Sequence, residues 1–250
     1  MRFESSGIVR PLSNWRRVIL NKCSRFISAA LPERCMLCAA PGSTHSLCAR
    51  CAAELPWLPA AQCPQCAAPT PGGRVCGNCL SHPPRFDAVT AAFVYEWPLA
   101  PLIHRYKYGG TLALAGLFAH ALAARVSAPV DLIIPMPLAP QRLAERGFNQ
   151  ALEVARIVSR LKHIPLAPHA CRRVRESMPQ ATLPWSERAR NVRGAFVCDE
   201  DLTGLSVAIV DDVMTTGTTL NELARNLRKA GAREIHRWMV ARTDRKSTRL

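Results

Sequence analysis

Nothing in this 250-residue chain approaches eighteen consecutive apolar residues free of charge, so no helix is expected to span a membrane. The apolar run Val18–Leu20 is far too short for a secretory signal, which places the chain, as an expectation, in the cytoplasm. Aromatic residues make up only 6%, leaving few candidates for a platform on which bases stack. Low-complexity tracts are absent. So is the GxxxxGK[ST] loop with its lysine, which excludes the usual nucleoside-triphosphate cradle. Acidic residues are scarce: 18 Asp and Glu face 33 Lys and Arg, for a formal net charge of +15.

The positive charge is unevenly spread. Side-chain counts give +5 over residues 1–30, +1 over 31–80, +7 over 142–193 and +7 over 225–250. A nucleic-acid reader normally carries a basic patch that neutralises phosphates. The region 31–80 lacks one. Hydrophobic residues reach 48%, enough for a core, and the length suits a small module plus a domain of about 150 residues.

Cysteine is plentiful where basic charge is not. Cys35/Cys38, Cys48/Cys51, Cys63/Cys66 and Cys76/Cys79 form four CxxC pairs, with nine residues between the pairs of each half. Four thiolates on two short knuckles can close a tetrahedron around Zn²⁺, so one or two structural zinc sites are expected. A disulfide framework would need an oxidising compartment, and a thioredoxin-like redox pair would not be repeated four times. Spacing alone leaves open whether the ligands pair sequentially or interleave. Cys23, Cys171 and Cys198 have no partner at metal spacing and read as ordinary small residues.

The other concentrated signal is VAIVDDVMTTGTT, Val207 to Thr219. An apolar strand ends at Val210, two carboxylates follow, and a hydroxyl-rich loop opens a helix with Leu220, Leu223, Ala224, Leu227 and Ala230 on one face. Amides at a helix start have no intrahelical partner and attract anions. Thr215, Thr216, Thr218 and Thr219 add hydroxyl donors, while Gly217 lets the backbone approach a phosphate. Asp211 and Asp212 suit sugar hydroxyls or the water around a divalent metal. A phosphate cradle beside a diol clamp fits a sugar phosphate. The plainer reading is a threonine-capped helix start with one aspartate paired to an arginine.

Organisation follows from periodicity. Residues 1–30 form a basic amphipathic helix-prone lead, able to pack on its own domain or to touch an anionic membrane surface. Residues 31–80 are the cysteine module, and SHPPRF marks a boundary. Residues 87–242 alternate strands (87–95, 131–134, 205–210, 234–241) with helices (112–126, 148–161, 217–230), and 243–250 is a tail. This order predicts an α/β fold whose parallel sheet carries ligands at the strands' C-terminal ends.

The chain resembles the ComF family, linked to DNA uptake in natural transformation. The likeness rests on the double CxxC module, HRYKYGG (104–110), IIPMPLAPQRLAERGFNQ (133–150), RVRESMPQATLPWSERARNVRGAF (173–196) and the paired-acid loop. That loop is similar to the phosphoribosyl-pyrophosphate (PRPP) loop of type I phosphoribosyltransferases. The resemblance implies a type I phosphoribosyltransferase-like parallel sheet flanked by helices, preceded by a double zinc ribbon. It implies that Asp211 and Asp212 hold the ribose hydroxyls, and that the loop Val213, Met214, Thr215, Thr216, Gly217, Thr218 and Thr219 holds the 5′-phosphate. Arg142 and Arg146 would neutralise pyrophosphate, with Mg²⁺ bound alongside PRPP. Arg173 and Arg175, with Gln180, Arg188 and Asn191, would belong to a lid that excludes water. Lys107 could reach a phosphate. The family context adds single-stranded DNA and competence proteins such as a DNA helicase or translocase as partners. Two functional readings follow: a phosphoribosyltransferase whose acceptor the sequence does not name, and a PRPP- or nucleotide-sensing component without turnover.

Overall fold

The computed structural model describes residues 34–175, 192–214 and 217–243. The expected helix-prone lead (1–30), the tail from 244 onward, Thr215, Thr216, Gln180, Arg188 and Asn191 lie outside the described residues. The chain divides into two compact units, Met1–Ala53 and Glu54–Leu250.

The described part of the first unit is one cysteine knuckle pair and helix α1 (Ala49–Ala53). The second unit opens on the same knuckle again. In each, the residue after the second cysteine adopts a left-handed conformation, Ala39 at φ 59° and Ala67 at φ 55°. That turn brings the Ala39 amide to the Cys35 carbonyl at 2.8 Å and the Ala67 amide to the Cys63 carbonyl at 2.7 Å. Helix α2 (Gly77–Ser81) carries Cys79, the last cysteine of the second knuckle pair.

The sheet of the second unit is built from β1 (Ala88–Val94), β2 (Leu132–Pro135), β5 (Ser206–Met214) and β6 (Glu234–Arg242). Its order is β1-β6-β5-β2, and every pairing is parallel. A short antiparallel pair, β3 (Cys171–Arg173) with β4 (Phe196–Cys198), stands apart. The expected α/β architecture is therefore what the chain forms. Helices α3 (Leu99–Tyr108) and α4 (Leu114–Arg125) join β1 to β2; α5 (Pro140–Arg146) and α6 (Gln150–Lys162) follow β2; α7 (Thr218–Lys229) joins β5 to β6. The crossover from β1 to β2 and that from β5 to β6 run in opposite directions across the sheet. Right-handed connections then place their helices on opposite faces.

Apolar spacing explains these choices. Leu220, Leu223, Ala224 and Leu227 are buried on one stripe of α7, packed on Val207, Ile209, Ile235 and Met239. Val154, Ala155 and Val158 do the same for α6. Gly231, at φ 95°, ends the α7 segment where a Cβ would lie 2.8 Å from the Thr203 Cα. The helices α3 and α5 are additions to the sequence reading. One strand also runs longer than its pattern predicts: β5 passes through both acids to Met214, because Asp211, Val213 and Met214 keep their register with Met239, Ala241 and Arg242.

The outer edge of β1 is covered by the chain leading into the second knuckle. Trp57 bridges Phe93 in antiparallel register, the Leu58 amide donates to the Ala92 carbonyl at 2.9 Å, and the Val94 amide donates to the Pro56 carbonyl at 2.8 Å. Below them the Val89 amide donates to the Pro64 carbonyl at 3.2 Å.

Candidate functional site

Loops after β2 and β5 leave adjacent strands toward opposite faces, which opens a crevice at the strands' C-terminal ends. That crevice is lined by Asp211, Asp212 and Val213 from the end of β5, and by Gly217, Thr218, Thr219 and Leu220 from the start of α7. Arg142 and Arg146 reach it from α5, Arg173 from β3, and Lys107 from α3. Met214 and Arg175 do not line it: Met214 is buried in the core, and Arg175 is exposed beyond β3.

Consecutive strand positions send the two acids to opposite faces. Asp212 turns toward α3, where Lys107 Nζ meets its Oδ1 at 2.8 Å; its Oδ2 is buried without a hydrogen-bond partner among the described residues. Burial alone would lower the Lys107 pKa, but the Asp212 charge and hydrogen bond outweigh it and raise it. Lys107 is thus committed to a carboxylate rather than standing free for a phosphate. Asp211 faces the α7 side. Burial and the neighbouring Asp212 charge push its carboxyl up to about 7, against a pull from the Asp212 amide, Lys107 and Arg237. The Asp212 amide donates to Asp211 Oδ1 at 2.8 Å, and the Val213 amide to Asp212 Oδ1 at 2.5 Å. These bonds hold both carboxylates at the cleft rim.

The motif RGFNQ is a joint that sets the arginines. Gly147, left-handed at φ 75°, ends α5 directly after Arg146. Asn149 caps α6 by accepting from the Ala151 and Leu152 amides, and its Nδ2 donates to the Met136 carbonyl at 3.1 Å. The loop after β2 is thereby tied to the helix that follows it. HRYKYGG performs three tasks from one helix. Tyr106 is buried and donates to the Gln150 carbonyl at 2.8 Å, Lys107 pairs with Asp212, and Tyr108 receives Arg146 at its hydroxyl (3.3 Å) and over its ring (4.9 Å). The sequence signal for this division was the helical phase of Tyr106, Lys107 and Tyr108. Arg173 stacks over Phe196 at 5.6 Å, and the Gly194 amide donates to Glu222 on α7 at 2.8 Å, so both ends of segment 174–195 are anchored beside the crevice.

The cysteines settle into two sequential sets, Cys35/Cys38/Cys48/Cys51 and Cys63/Cys66/Cys76/Cys79, each with all four Sγ atoms within 4.8 Å of one another. Cys38 and Cys48 Sγ are 3.7 Å apart, and Cys66 and Cys76 Sγ 3.6 Å. A tetrahedron with Zn–S bonds of about 2.3 Å has edges of about 3.8 Å, so both sets fit zinc. The separations are far beyond a disulfide bond of about 2.05 Å. No helix among the described residues is long and apolar enough to cross a membrane.

Comparison with known proteins finds two family models on the chain. Residues 26–80 match the double zinc ribbon domain, and residues 164–250 match the phosphoribosyl transferase domain. The chain is 34% identical to DNA utilization protein YhgH of Shigella flexneri over 172 residues, 66% of this chain and 76% of that protein. It is 34% identical to competence protein F of Haemophilus influenzae over 174 residues, 65% and 76% of the two chains. With DNA utilization protein YhgH of Salmonella typhi it shares 32% identity over 223 residues, 85% of this chain and 98% of the relative.

Proposed function

The chain belongs to the ComF family of competence and DNA utilization proteins, and from that premise we propose that it binds PRPP or a related sugar phosphate in the cytoplasm and transfers the phosphoribosyl group during the handling of incoming DNA. One observation carries this reading: a single crevice gathers two carboxylates, a helix start bearing hydroxyls, and three arginines. Asp211 and Asp212 accept hydrogen bonds from the vicinal ribose hydroxyls. Amides at the start of α7, with Thr218 and Thr219, hold the 5′-phosphate. Arg142 and Arg146 neutralise the pyrophosphate, and Arg173 helps to exclude water at the lid end.

In the reaction, the bond from ribose C1 to the pyrophosphate oxygen breaks and one to an acceptor nitrogen forms, with the acceptor giving up a proton. Fixing both partners supplies much of the acceleration. Mg²⁺ entering with the ligand would supply further positive charge against the leaving group, and the two aspartates are the oxygen donors suited to it or its waters. The Lys107–Asp212 pair favours a second reading, in which ligand is sensed without turnover, because one of the two diol acceptors is already engaged.

Calorimetry with PRPP and Mg²⁺, followed by pyrophosphate release against a panel of nucleobases, tests both. Release that vanishes in Asp211→Ala/Asp212→Ala supports transfer. Tight binding with no release supports sensing. Absence of any heat with PRPP sinks both. For DNA, single-strand affinity measured over a salt series is expected to fall steeply, and a flat line argues against contact with the phosphate backbone.

A further inference from the structure

Arg237 occupies a position that β-strand alternation reserves for an apolar side chain. It stands between Ile235 and Met239 on β6, paired with Ile209 of β5, on the face that α7 covers. Its exposure is 0%. Nε, Nη1 and Nη2 have no hydrogen-bond partner among the described residues. On one side its guanidinium lies 3.9 Å from the centroid of the Phe86 ring. On the other side is Gly217, N-cap of the twelve-residue α7, where a Cβ would come within 3.2 Å of Nη1 and 3.5 Å of Nη2.

Burying a cation without hydrogen-bond partners is strongly unfavourable, and a ring face offsets only part of that. The placement compounds the cost, because a helix N-terminus already carries partial positive charge. Two positive features stand back to back; Asp211 and, more weakly, Cys66 oppose them, while Arg242 adds a further like charge. Burial pulls the guanidinium pKa down to about 9 and Asp211 pulls it back up, so the group is still cationic at neutral pH. An anion seated on the loop at Gly217 would satisfy both positive features at once. Glycine at that position removes the side chain that would otherwise separate guanidinium from loop.

We infer that Arg237 is a phosphate-positioning residue: a buried countercharge behind Gly217 that acts through the loop on the terminal phosphate of a bound phosphorylated pentose. This rests on the sugar-phosphate reading of the crevice. Arg237 lies behind the crevice lining, so its effect is confined to the phosphate end and spares the pyrophosphate end held by Arg142 and Arg146.

The test uses the full zinc-loaded chain and calorimetry with ribose 5-phosphate and with magnesium pyrophosphate. Arg237→Gln is expected to weaken ribose 5-phosphate at least tenfold and to leave pyrophosphate affinity within twofold, while Arg237→Lys, which keeps the charge, restores part of the loss. Equal loss of both ligands would mean a scaffold role and overturn the inference, as would unchanged ribose 5-phosphate binding. If the wild-type chain itself fails to bind ribose 5-phosphate or PRPP, the reading beneath the inference fails instead. Should Arg237→Gln not fold, the wild-type arginine Nε–H resonance decides. Saturating ribose 5-phosphate is expected to shift it and slow its exchange, and an unmoved signal refutes the idea.

Discussion

Replacing Asp211 by asparagine isolates the charge that the crevice strains most. The carboxyl moves from an ordinary value of 3.8 to about 7 on folding, chiefly through burial and then through Asp212. Between these values the folded chain holds a proton that the unfolded chain has released. Stability contributed by this group therefore falls as pH rises from about 4 to about 7, and is level above. A shift of about three units at about 1.4 kcal/mol each sets a ceiling of about 4 kcal/mol, reduced because the side chain borders an open crevice. Asparagine keeps the oxygen that accepts from the Asp212 amide and cannot ionise. Asp211→Asn should thus be the more stable protein at pH 8, by about 2 kcal/mol or more, with the advantage shrinking steadily toward pH 5. Urea melts of both proteins from pH 5 to 8.5 measure this, and zinc-thiolate titration cancels in the difference. Parallel stability curves would refute the argument. The same substitution carries a binding signature. Ribose 5-phosphate affinity should rise with pH through about 7 in the wild type, while the variant keeps only the dependence that comes from the phosphate's own ionisation near pH 6.

Lys107→Met leaves the Asp212 carboxylate buried and unpaired, and should cost about 3 kcal/mol in denaturant melts at neutral pH; pairing it with Asp212→Asn should recover most of that loss. Gly231→Ala forces a side chain into a positive-φ turn and against the Thr203 backbone, so a loss of about 2 kcal/mol or more is expected by thermal melting. Metal analysis of protein purified without chelator should return about two zinc per chain. Cys35→Ser should lower that to about one and leave the main melting transition in place, whereas Cys63→Ser should lose one zinc and depress that transition, because its set belongs to the unit that contains the sheet.

Much of this architecture is legible in the chain because its strands are apolar blocks and its helices have one greasy stripe. Val207 to Val210 and Leu220 to Leu227 are read directly. The end of β5 is not, because adjacent aspartates signal a loop, while here the ladder to β6 continues and each carboxylate folds back onto the next amide. Helix α3 hides for a different reason: its buried residues Leu102, Ile103 and Tyr106 are interleaved with His104, Arg105 and Lys107. For the crevice, the residue pattern names both acids and the loop, while the arginines at 142, 146 and 173 come only from the family resemblance. Neither shows that Lys107 is engaged by Asp212, which depends on two segments more than a hundred residues apart. Arg237 was within reach of strand alternation alone, since positions 235, 237 and 239 must share a face; its charge disguised it as a surface residue.

The covered rim of β1 has a cost in metal-poor conditions. Pro56 and Leu58 hold the Val94 and Ala92 end, with Leu58 packed in the sheet's own core, but Pro64, the partner of Val89, leads into a knuckle whose local cluster is little more than Cys63, Cys66 and Cys79 with Ala68, Val75 and Cys76 around them. Too little oil is gathered there to keep that flap shut once its ion has gone. The Val89 end of the ribbon AVTAAFV would then present a bare flank to any neighbouring copy, and such flanks zip together. Under zinc starvation the molecule should therefore disappear into sedimentable clumps before its interior melts.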